Sequence, residues 1–304
     1  MGAALMRWLF SPVPLGRVAA LRTLAYLFIP LDVLVFTPWV TGHADLPAKL
    51  YSPLLVGDLL HLPAPTHTLV IAVKWLTVAA GLAAAGGRYP RLLGAVAFFL
   101  YFEWMVIAMS YGRVEHDRFA FLVALAVLPT VGKARWGDPG RSAAAGWAYR
   151  CIQVAVMLTY FLAAWAKIRF GGWNWPAGAS FVRAISRRGT WASHWLLDHP
   201  HLLEIGQFAL VIGELASPLI LLARTDRART AVAAALVAFH LVTALAVGAV
   251  VLPQLIAIGA FLPMERVRPI RWVRSYLPRP PASTRTPPSY VGAPKTPERR
   301  KLST

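Results

Sequence analysis

Two titratable side chains, His116 and Lys167, are the residues of this chain best placed for acid–base chemistry. An imidazole and an amine both take up and release protons in enzymes. Each stands at one end of an apolar segment: His116 just before residues 117–132, and Lys167 at the end of residues 147–168. An ionisable side chain at or inside a membrane boundary is energetically costly and is usually functional. If the two segments cross a membrane in succession, His116 and Lys167 lie on the same side of it and can share one site.

The elements that must position these residues are predicted to be membrane helices. Of the 304 residues, 57% are hydrophobic and 14% are charged, and the mean hydropathy is +0.54, which is typical of a polytopic helical membrane protein. The sequence predicts about eight spans of roughly 20 residues, the fourth and the last being short. They lie at residues 18–38, 67–86, 92–111, 117–132, 147–168, 203–223, 228–247 and 250–264. We therefore expect an all-α, polytopic integral membrane helical bundle.

The distribution of basic residues predicts the orientation of this bundle. Lys and Arg are in excess in cytoplasmic loops. With both termini cytoplasmic, the cytoplasmic segments hold about 21 of the 31 basic residues and the outer segments hold about eight. The net charge of +18 is then mainly a topology signal, so we expect contacts with membrane lipid and none with nucleic acid. The chain is accordingly predicted to be a multi-pass protein of the cell membrane.

The chain divides into two regions by composition. Residues 1–270 contain all the predicted spans and form the predicted transmembrane domain. Residues 271–304 are rich in Pro, Ser, Thr and Arg and poor in apolar residues, so they cannot bury a core. We expect this segment to be a disordered, basic, Pro-rich cytoplasmic tail. Any functional site must then lie in the bundle and its loops.

Further titratable side chains are predicted in the outer half of the bundle. At 1.5 Å per helical residue, Lys74 and Glu103 lie roughly 10 Å below the outer surface, and His240 lies about two turns below it. We expect Lys74, Glu103 and His240 to contact a bound cofactor. The alternatives are an ion pair between Lys74 and Glu103, and a hydrogen-bonded structural histidine at position 240.

Two deeper charged residues have more than one interpretation. Glu214 lies mid-way along its predicted span, and Arg22 lies low in the first span. Because buried charges need partners, these two residues can pair with each other or cap loosened backbone. Glu214 can be either structural or functional.

A Trp-rich segment, residues 171–202, is predicted to lie in the outer membrane interface. Trp173 and Trp175 would then roof a cavity above Lys167, and we expect both to contact the cofactor. The spacing of His and acidic residues is not that of a metal site, so no metal is expected. The chain contains no Gly-x-Ser-x-Gly, no His-Glu-x-x-His and no phosphate-binding Gly-rich loop, which argues against a hydrolase or an NTPase.

Several sequence elements resemble those of a known family. The Tyr-Phe-Leu-Ala-Ala-Trp-Ala-Lys-Ile of residues 160–168, with the Trp-Asn-Trp-Pro-Ala-Gly-Ala-Ser of residues 173–180, resembles the lysine element of the vitamin K-dependent γ-carboxylase. The related horizontally transferred transmembrane (HTTM) family shares this element. Glu-His-Asp-Arg-Phe at residues 115–119 resembles the family's Asn-His-aromatic element. Residues 239–241 and 258–261 are similar to its late His-Leu and Ile-Gly-x-Phe elements.

The resemblance covers roughly residues 17–265, with Ala164 and Glu115 where the family has Gly and Asn. It implies a multi-helix membrane core and a quinol-dependent carboxylase or epoxidase-like enzyme, a carbon–carbon lyase. By this resemblance, Lys167 is the base that deprotonates reduced vitamin K or a menaquinol-like quinol, and His116 assists it. The co-substrates are O₂ and CO₂. A lysine in a poorly solvated pocket suits this role, because burial disfavours its charged form.

Two other classes of function stay open at the level of sequence. Intramembrane charges are also typical of a transporter or a small-molecule-binding membrane protein, although no internal repeat is evident. The charges can also serve only to stabilise a non-enzymatic membrane scaffold. The partners expected for the enzyme are a lipid-soluble quinol and a peptide or small-molecule substrate at the outer face.

Overall fold

The chain folds as a bundle of helices, as predicted. The computed structural model describes residues 2–266, so the predicted tail at residues 271–304 lies outside the described residues. Within them, two short strands, β1 (Val13–Pro14) and β2 (Arg141–Ser142), pair antiparallel. The helices are α1 (Gly2–Leu9), α2 (Leu15–Leu31), α3 (Leu55–Leu59), α4 (His67–Ala85), α5 (Pro90–Met109), α6 (Phe119–Val127), α7 (Ala143–Gly171), α8 (Ser180–Arg188), α9 (Pro200–Ala216), α10 (Asp226–Val247) and α11 (Leu252–Ile258).

Six helical segments among the described residues are long and apolar enough to cross a membrane, so the chain is a multi-pass membrane protein. Helices suit this setting because they satisfy their backbone hydrogen bonds internally. The first segment extends α2 through a π-helical turn that follows Pro30. The six segments are Leu15–Phe36, His67–Ala85, Pro90–Met109, Ala143–Asn174, Pro200–Leu222 and Asp226–Val247.

The predicted fourth and eighth spans are shorter than a full crossing helix. They correspond to α6, with 9 residues, and α11, with 7 residues. Each is continued by a 3₁₀ turn, at Leu128–Val131 and at Gly259–Phe261. Neither reaches the roughly 20 residues that a membrane-crossing helix needs. The structure therefore has six long helices and two short segments, which lie at the two positions where the sequence predicts short spans.

The short helix α6 nevertheless runs along much of α2, in the opposite direction. At its start, Arg118 Nη2 donates to Asp32 Oδ1 at 2.9 Å, just after the end of α2. Beyond its other end, Arg22 donates to the carbonyl oxygens of Gly132 and Ala134 at 2.7 and 2.9 Å. These contacts place the two ends of α6 at the levels of Asp32 and Arg22. Of the two roles predicted for Arg22, the structure therefore shows the capping of backbone.

Contacts at the start of α2 show which segment ends lie together. Arg17 Nη2 donates to Glu265 Oε1 at 2.6 Å, just beyond α11, and to Asp226 Oδ2 at 3.3 Å, at the start of α10. The pairing of β1 with β2 brings the start of α7 to the same end. Burial alone would raise the pKa of the Glu265 carboxyl. The hydrogen bond from Arg17 and its positive charge together have the larger effect, so the net result is a lowered pKa. Helices α2, α7 and α10 therefore start at one end of the bundle, and the chain returns to that end after α11.

Close helix packing in the core depends on glycines. A Cβ at Gly94 in α5 would collide with the Tyr26 hydroxyl of α2 and lie 2.8 Å from Pro129 Cγ. A Cβ at Gly81 in α4 would lie 3.1 Å from Ile29 Cβ and from the carbonyl oxygen of Tyr26. Helix α2 is thus enclosed tightly on two sides, which holds both the helices and their ends in fixed positions.

Candidate functional site

A cavity of about 580 Å³, the first cavity, contains both His116 and Lys167 in its lining. His116 lies in the turn before α6, and Lys167 lies near the end of α7. The structure thus brings these two predicted residues to one site. The other lining residues are mostly apolar: Phe119, Ala120, Val123, Ala155, Leu158, Thr159, Leu162, Ala163 and Ala166.

The lining of the first cavity follows helical spacing. On α7 its residues recur at intervals of three and four, as residues on one face of a helix do, and this face ends at Lys167. His116, Phe119, Ala120 and Val123 show the same spacing at the start of α6. The alanines on both faces leave space that larger side chains would fill. This stripe of small residues leading to Lys167 is the sequence signal that could have located the cavity.

The rim of the first cavity is apolar and exposed. Phe119, Leu158 and Leu162 are large hydrophobic lining residues, and all three are exposed on the bundle surface. In a membrane-spanning bundle, such a surface faces the acyl chains. The cavity therefore suits a ligand that arrives through the bilayer.

Lys167 is paired with Glu214. Its Nζ donates to Glu214 Oε2 at 2.6 Å, and the two side chains are only 21% and 11% exposed. Lys167 Nζ also lies 5.4 Å from the ring centroid of Trp175, a distance at which a cation interacts with an aromatic face. Of the two predicted Trp residues, Trp175 is next to the lysine and Trp173 is exposed, and neither belongs to the lining of the first cavity.

A smaller cavity of about 230 Å³, the second cavity, adjoins the first. It shares His116, Thr159 and Ala163 with the first cavity, so these residues form the common wall. Glu214 lines the second cavity while Lys167 lines the first, so the ion pair joins them. The remaining lining residues are Asp117, Tyr160, Phe239, His240, Thr243, Ala249, Val251 and Gln254.

His240 is part of this second cavity. A hydrogen bond of 2.6 Å joins its Nε2 to the Tyr160 hydroxyl of α7. The predicted cofactor-contacting residue His240 and the predicted catalytic residue His116 therefore lie in the lining of one cavity. Tyr160 belongs to the lysine element of the sequence, which by itself predicts no role for the tyrosine hydroxyl.

A buried ion pair fixes the turn that carries His116. Arg118 and Asp32 are both buried, and their side chains are joined at 2.9 Å. The buried Tyr101 hydroxyl donates to the other carboxylate oxygen of Asp32, also at 2.9 Å. Removing a charge from water is favourable only when such partners satisfy it. The position of His116 is thus set by α2 and α5 as well as by its own turn.

Two acidic neighbours of His116 complete this arrangement. Arg118 Nη1 donates to Glu115 Oε2 at 2.5 Å and to Asp117 Oδ1 at 3.3 Å. Burial raises the pKa of Asp117, which lines the second cavity. His116 is therefore flanked by two carboxylates that both accept from Arg118, and Glu115 also pairs with Arg113.

Four of the five predicted cofactor-binding residues lie outside the linings of both cavities: Lys74, Glu103, Trp173 and Trp175. Lys74 Nζ is 5.8 Å from the ring centroid of Trp75, and Glu103 is half-buried on α5. Among residues 2–266, Lys74 and Glu103 do not form the ion pair that was the alternative. Depth along a helix can be estimated from sequence, but the rotation that decides which way a side chain points depends on packing. Their role in cofactor binding stays a prediction.

Comparisons leave the chain without an assigned relative. It matches no protein-family description, no curated protein and no solved structure. The described residues also contain no group of three or more His, Cys, Asp and Glu side chains that could hold a metal ion. The two cavities and the sequence elements around them are therefore the features that indicate a function.

Proposed function

We propose that this chain is a membrane enzyme that acts on a lipid-soluble quinol in the first cavity. The observation that carries the proposal is a cavity of about 580 Å³ with an apolar, exposed rim and with His116 and Lys167 as its titratable lining residues. Ligand sites of this kind are mostly apolar and contain a few polar groups that orient the ligand. A flat, apolar molecule with ionisable hydroxyls suits both features.

The residues present fit a quinol. The volume falls within the roughly 300–1,000 Å³ of small-molecule sites. The apolar side chains of Phe119, Leu158 and Leu162 would hold the ring and its tail, and Lys167 and His116 would meet the hydroxyl groups. When bound, a quinol supplies two electrons and the hydroxyl protons.

The Lys167–Glu214 pair provides a route for a proton. Lys167 Nζ donates to Glu214 Oε2 at 2.6 Å, so a proton can pass along this bond to the carboxylate and leave a lone pair on Nζ. That nitrogen lines the first cavity, where it would accept a proton from a hydroxyl. Glu214 would carry the released proton toward the second cavity, with His116 in the wall between the two. Apolar neighbours keep water from competing with these transfers.

The resemblance of the lysine and histidine elements supports a finer proposal. The cofactor would be reduced vitamin K or a menaquinol-like quinol, with O₂ and CO₂ as co-substrates in a γ-carboxylase-like reaction. The acceptor, a peptide or a small molecule, would bind at the outer face. The cell membrane is the proposed location, because the basic residues concentrate in segments predicted to be cytoplasmic.

A non-enzymatic scaffold is the second candidate, and one observation favours it. An ion pair at 2.6 Å between two largely buried side chains is also what a bundle needs if the charges serve only packing. This candidate gives no reason for a cavity beside the pair. It predicts that variants lose activity only as far as they lose folded protein.

Oxygen uptake by the purified protein, with reduced menaquinone-4 as the probe, tests the proposed function. We expect uptake above the protein-free rate, a loss of about 10²–10⁴-fold in Lys167→Ala, and a smaller loss in His116→Ala. Lys49→Ala is the control, because Lys49 is an exposed lysine at residues 48–50, outside both cavity linings and outside the predicted site. Uptake that stays at the protein-free rate for the wild-type protein would contradict the proposal.

A further inference from the structure

The three glutamines of this chain are all buried, but only two of them have their hydrogen bonds satisfied. The Oε1 of Gln153 accepts from Arg150 Nη1 at 2.5 Å, and its Nε2 donates to the carbonyl oxygen of Ala260 at 2.8 Å. The side chain of Gln207 is likewise bonded at both ends, to the backbone of residues 176, 178 and 181. Both residues tie loops or helices together.

Gln254 is different. It is 1% exposed, lies on α11 and lines the second cavity. Among residues 2–266, neither its Oε1 nor its Nε2 makes a hydrogen bond of good geometry, and its nearby polar neighbour, the Tyr160 hydroxyl, is bonded to His240. A buried amide that is left unpaired is unfavourable and rare in folded proteins. A donor and an acceptor are thus held side by side in a cavity wall, where they indicate a ligand.

The charges around the second cavity are already compensated. Glu214 is paired with Lys167, and Asp117 lies 3.3 Å from Arg118. The hydrogen bond between Tyr160 and His240 occupies two more polar groups. The one other imidazole in the lining besides His240 is that of His116, which lies between the carboxylates of Glu115 and Asp117. A charged ligand would therefore find no unpaired carboxylate, lysine or arginine among the described lining residues, and burying an unpaired charge is costly. The lining therefore favours an uncharged ligand.

We propose that the second cavity binds a small, uncharged molecule or end group of the primary carboxamide type, held by Gln254. An amide presents a carbonyl acceptor and an NH₂ donor at fixed spacing, so Gln254 and a ligand amide can exchange two hydrogen bonds. The volume of about 230 Å³ is below that of drug-sized ligands, which limits the occupant to a few heavy atoms. This site goes beyond the proposed quinol chemistry and assigns no role to Lys167.

The test measures thermal unfolding of the purified chain with butanamide as the probe, and with butanoate and butylamine as matched charged analogues. At about five times its Kd, butanamide should raise the unfolding midpoint of the wild-type protein by about 2–4 °C. Butanoate and butylamine should not raise it. In Gln254→Met, which keeps the side-chain volume but removes the amide, the butanamide shift should disappear.

The unfolding midpoints of the variants without any ligand provide an independent test of the proposal. Gln254→Met removes two unpaired polar atoms, so it should unfold at or above the wild-type midpoint. Gln207→Met, the matched control, removes three hydrogen bonds and should unfold at a lower temperature. The proposal is overturned if butanamide does not raise the unfolding midpoint of the wild-type protein, or if butanoate and butylamine raise it equally. It is also overturned if butanamide still raises the midpoint of Gln254→Met, or if Gln254→Met without ligand is as unstable as Gln207→Met. Because the assay contains no quinol, its failure is distinguishable from failure of the proposed function.

Discussion

At the scale of residues, the partner of Lys167 determines what this lysine must do. Its ammonium group donates to Glu214 at 2.6 Å, so the resting pair is a salt bridge and the lysine must pass a proton on before it can accept one. The carboxylate is therefore part of the proposed chemistry and not only of the packing. Lys167 and His116 could be selected from the sequence because each ends an apolar segment. Glu214 could not be paired in advance, because the rotation of α9 against α7 depends on tertiary packing.

The pairing of Lys167 with Glu214 predicts a characteristic pattern of stability. Glu214→Leu leaves the ammonium group without a counter-charge in a largely buried position, so we expect a loss of about 3 kcal/mol. The double variant Lys167→Met/Glu214→Leu removes both charges and should recover most of that loss. Denaturant unfolding of the single and double variants in detergent measures the coupling. A double variant that is as unstable as the sum of the single variants would show that the two side chains do not interact.

At the scale of elements, the short helix α6 places His116 beside α7. Its predicted span was correct in position, but the helix itself is only Phe119–Val127. Apolar composition shows that a segment lies within the membrane bundle. It does not show whether the segment is one helix of membrane-crossing length or a short helix followed by a 3₁₀ turn. The ion pair of Arg118 with Asp32 fixes the start of α6, and this pairing could not be predicted because it depends on how α2 and α6 pack.

The buried ion pair at the start of α6 should be a main source of local stability. Asp32→Asn leaves Arg118 with one fewer carboxylate and removes the charged acceptor of Tyr101, so a loss of about 3 kcal/mol is expected. The matched control is Asp45→Asn, because Asp45 pairs with His67 at 2.8 Å but both side chains are highly exposed. Exposed pairs of this kind contribute little. Equal stability losses in denaturant unfolding for the two variants would contradict the assigned role of the buried pair.

At the scale of the whole molecule, side-chain contacts show which helix ends lie together at each of the two ends of the bundle. The start of α2, the start of α10 and the residues after α11 meet through Arg17, while His116 and Lys167 lie in one cavity lining. The alternation of segments could be predicted from hydropathy alone. The stripe of small residues on α7 indicates the first cavity, but the volumes of the two cavities and their common wall depend on how α6, α7 and α10 meet in three dimensions.

The orientation of the bundle follows from its basic residues and can be measured. A reporter fused after Arg268 should be active only in the cytoplasm, because the cytoplasmic segments carry about 21 of the 31 basic residues. A reporter fused to a chain truncated after Gly112 should be active only outside, since this residue follows α5. Outside activity for the Arg268 fusion would place the predicted outer end of the bundle in the cytoplasm and overturn the topology.

The central claim, that Lys167 works as a base and not only as a charge, is tested most directly by Lys167→Arg. A guanidinium group can keep the ion pair with Glu214, so the folded yield and the unfolding midpoint should stay close to the wild-type values. It does not lose its proton at usable pH, so oxygen uptake with reduced menaquinone-4 should fall by about 10²-fold or more. A Lys167→Arg protein with full quinol-dependent oxygen uptake would contradict the claim.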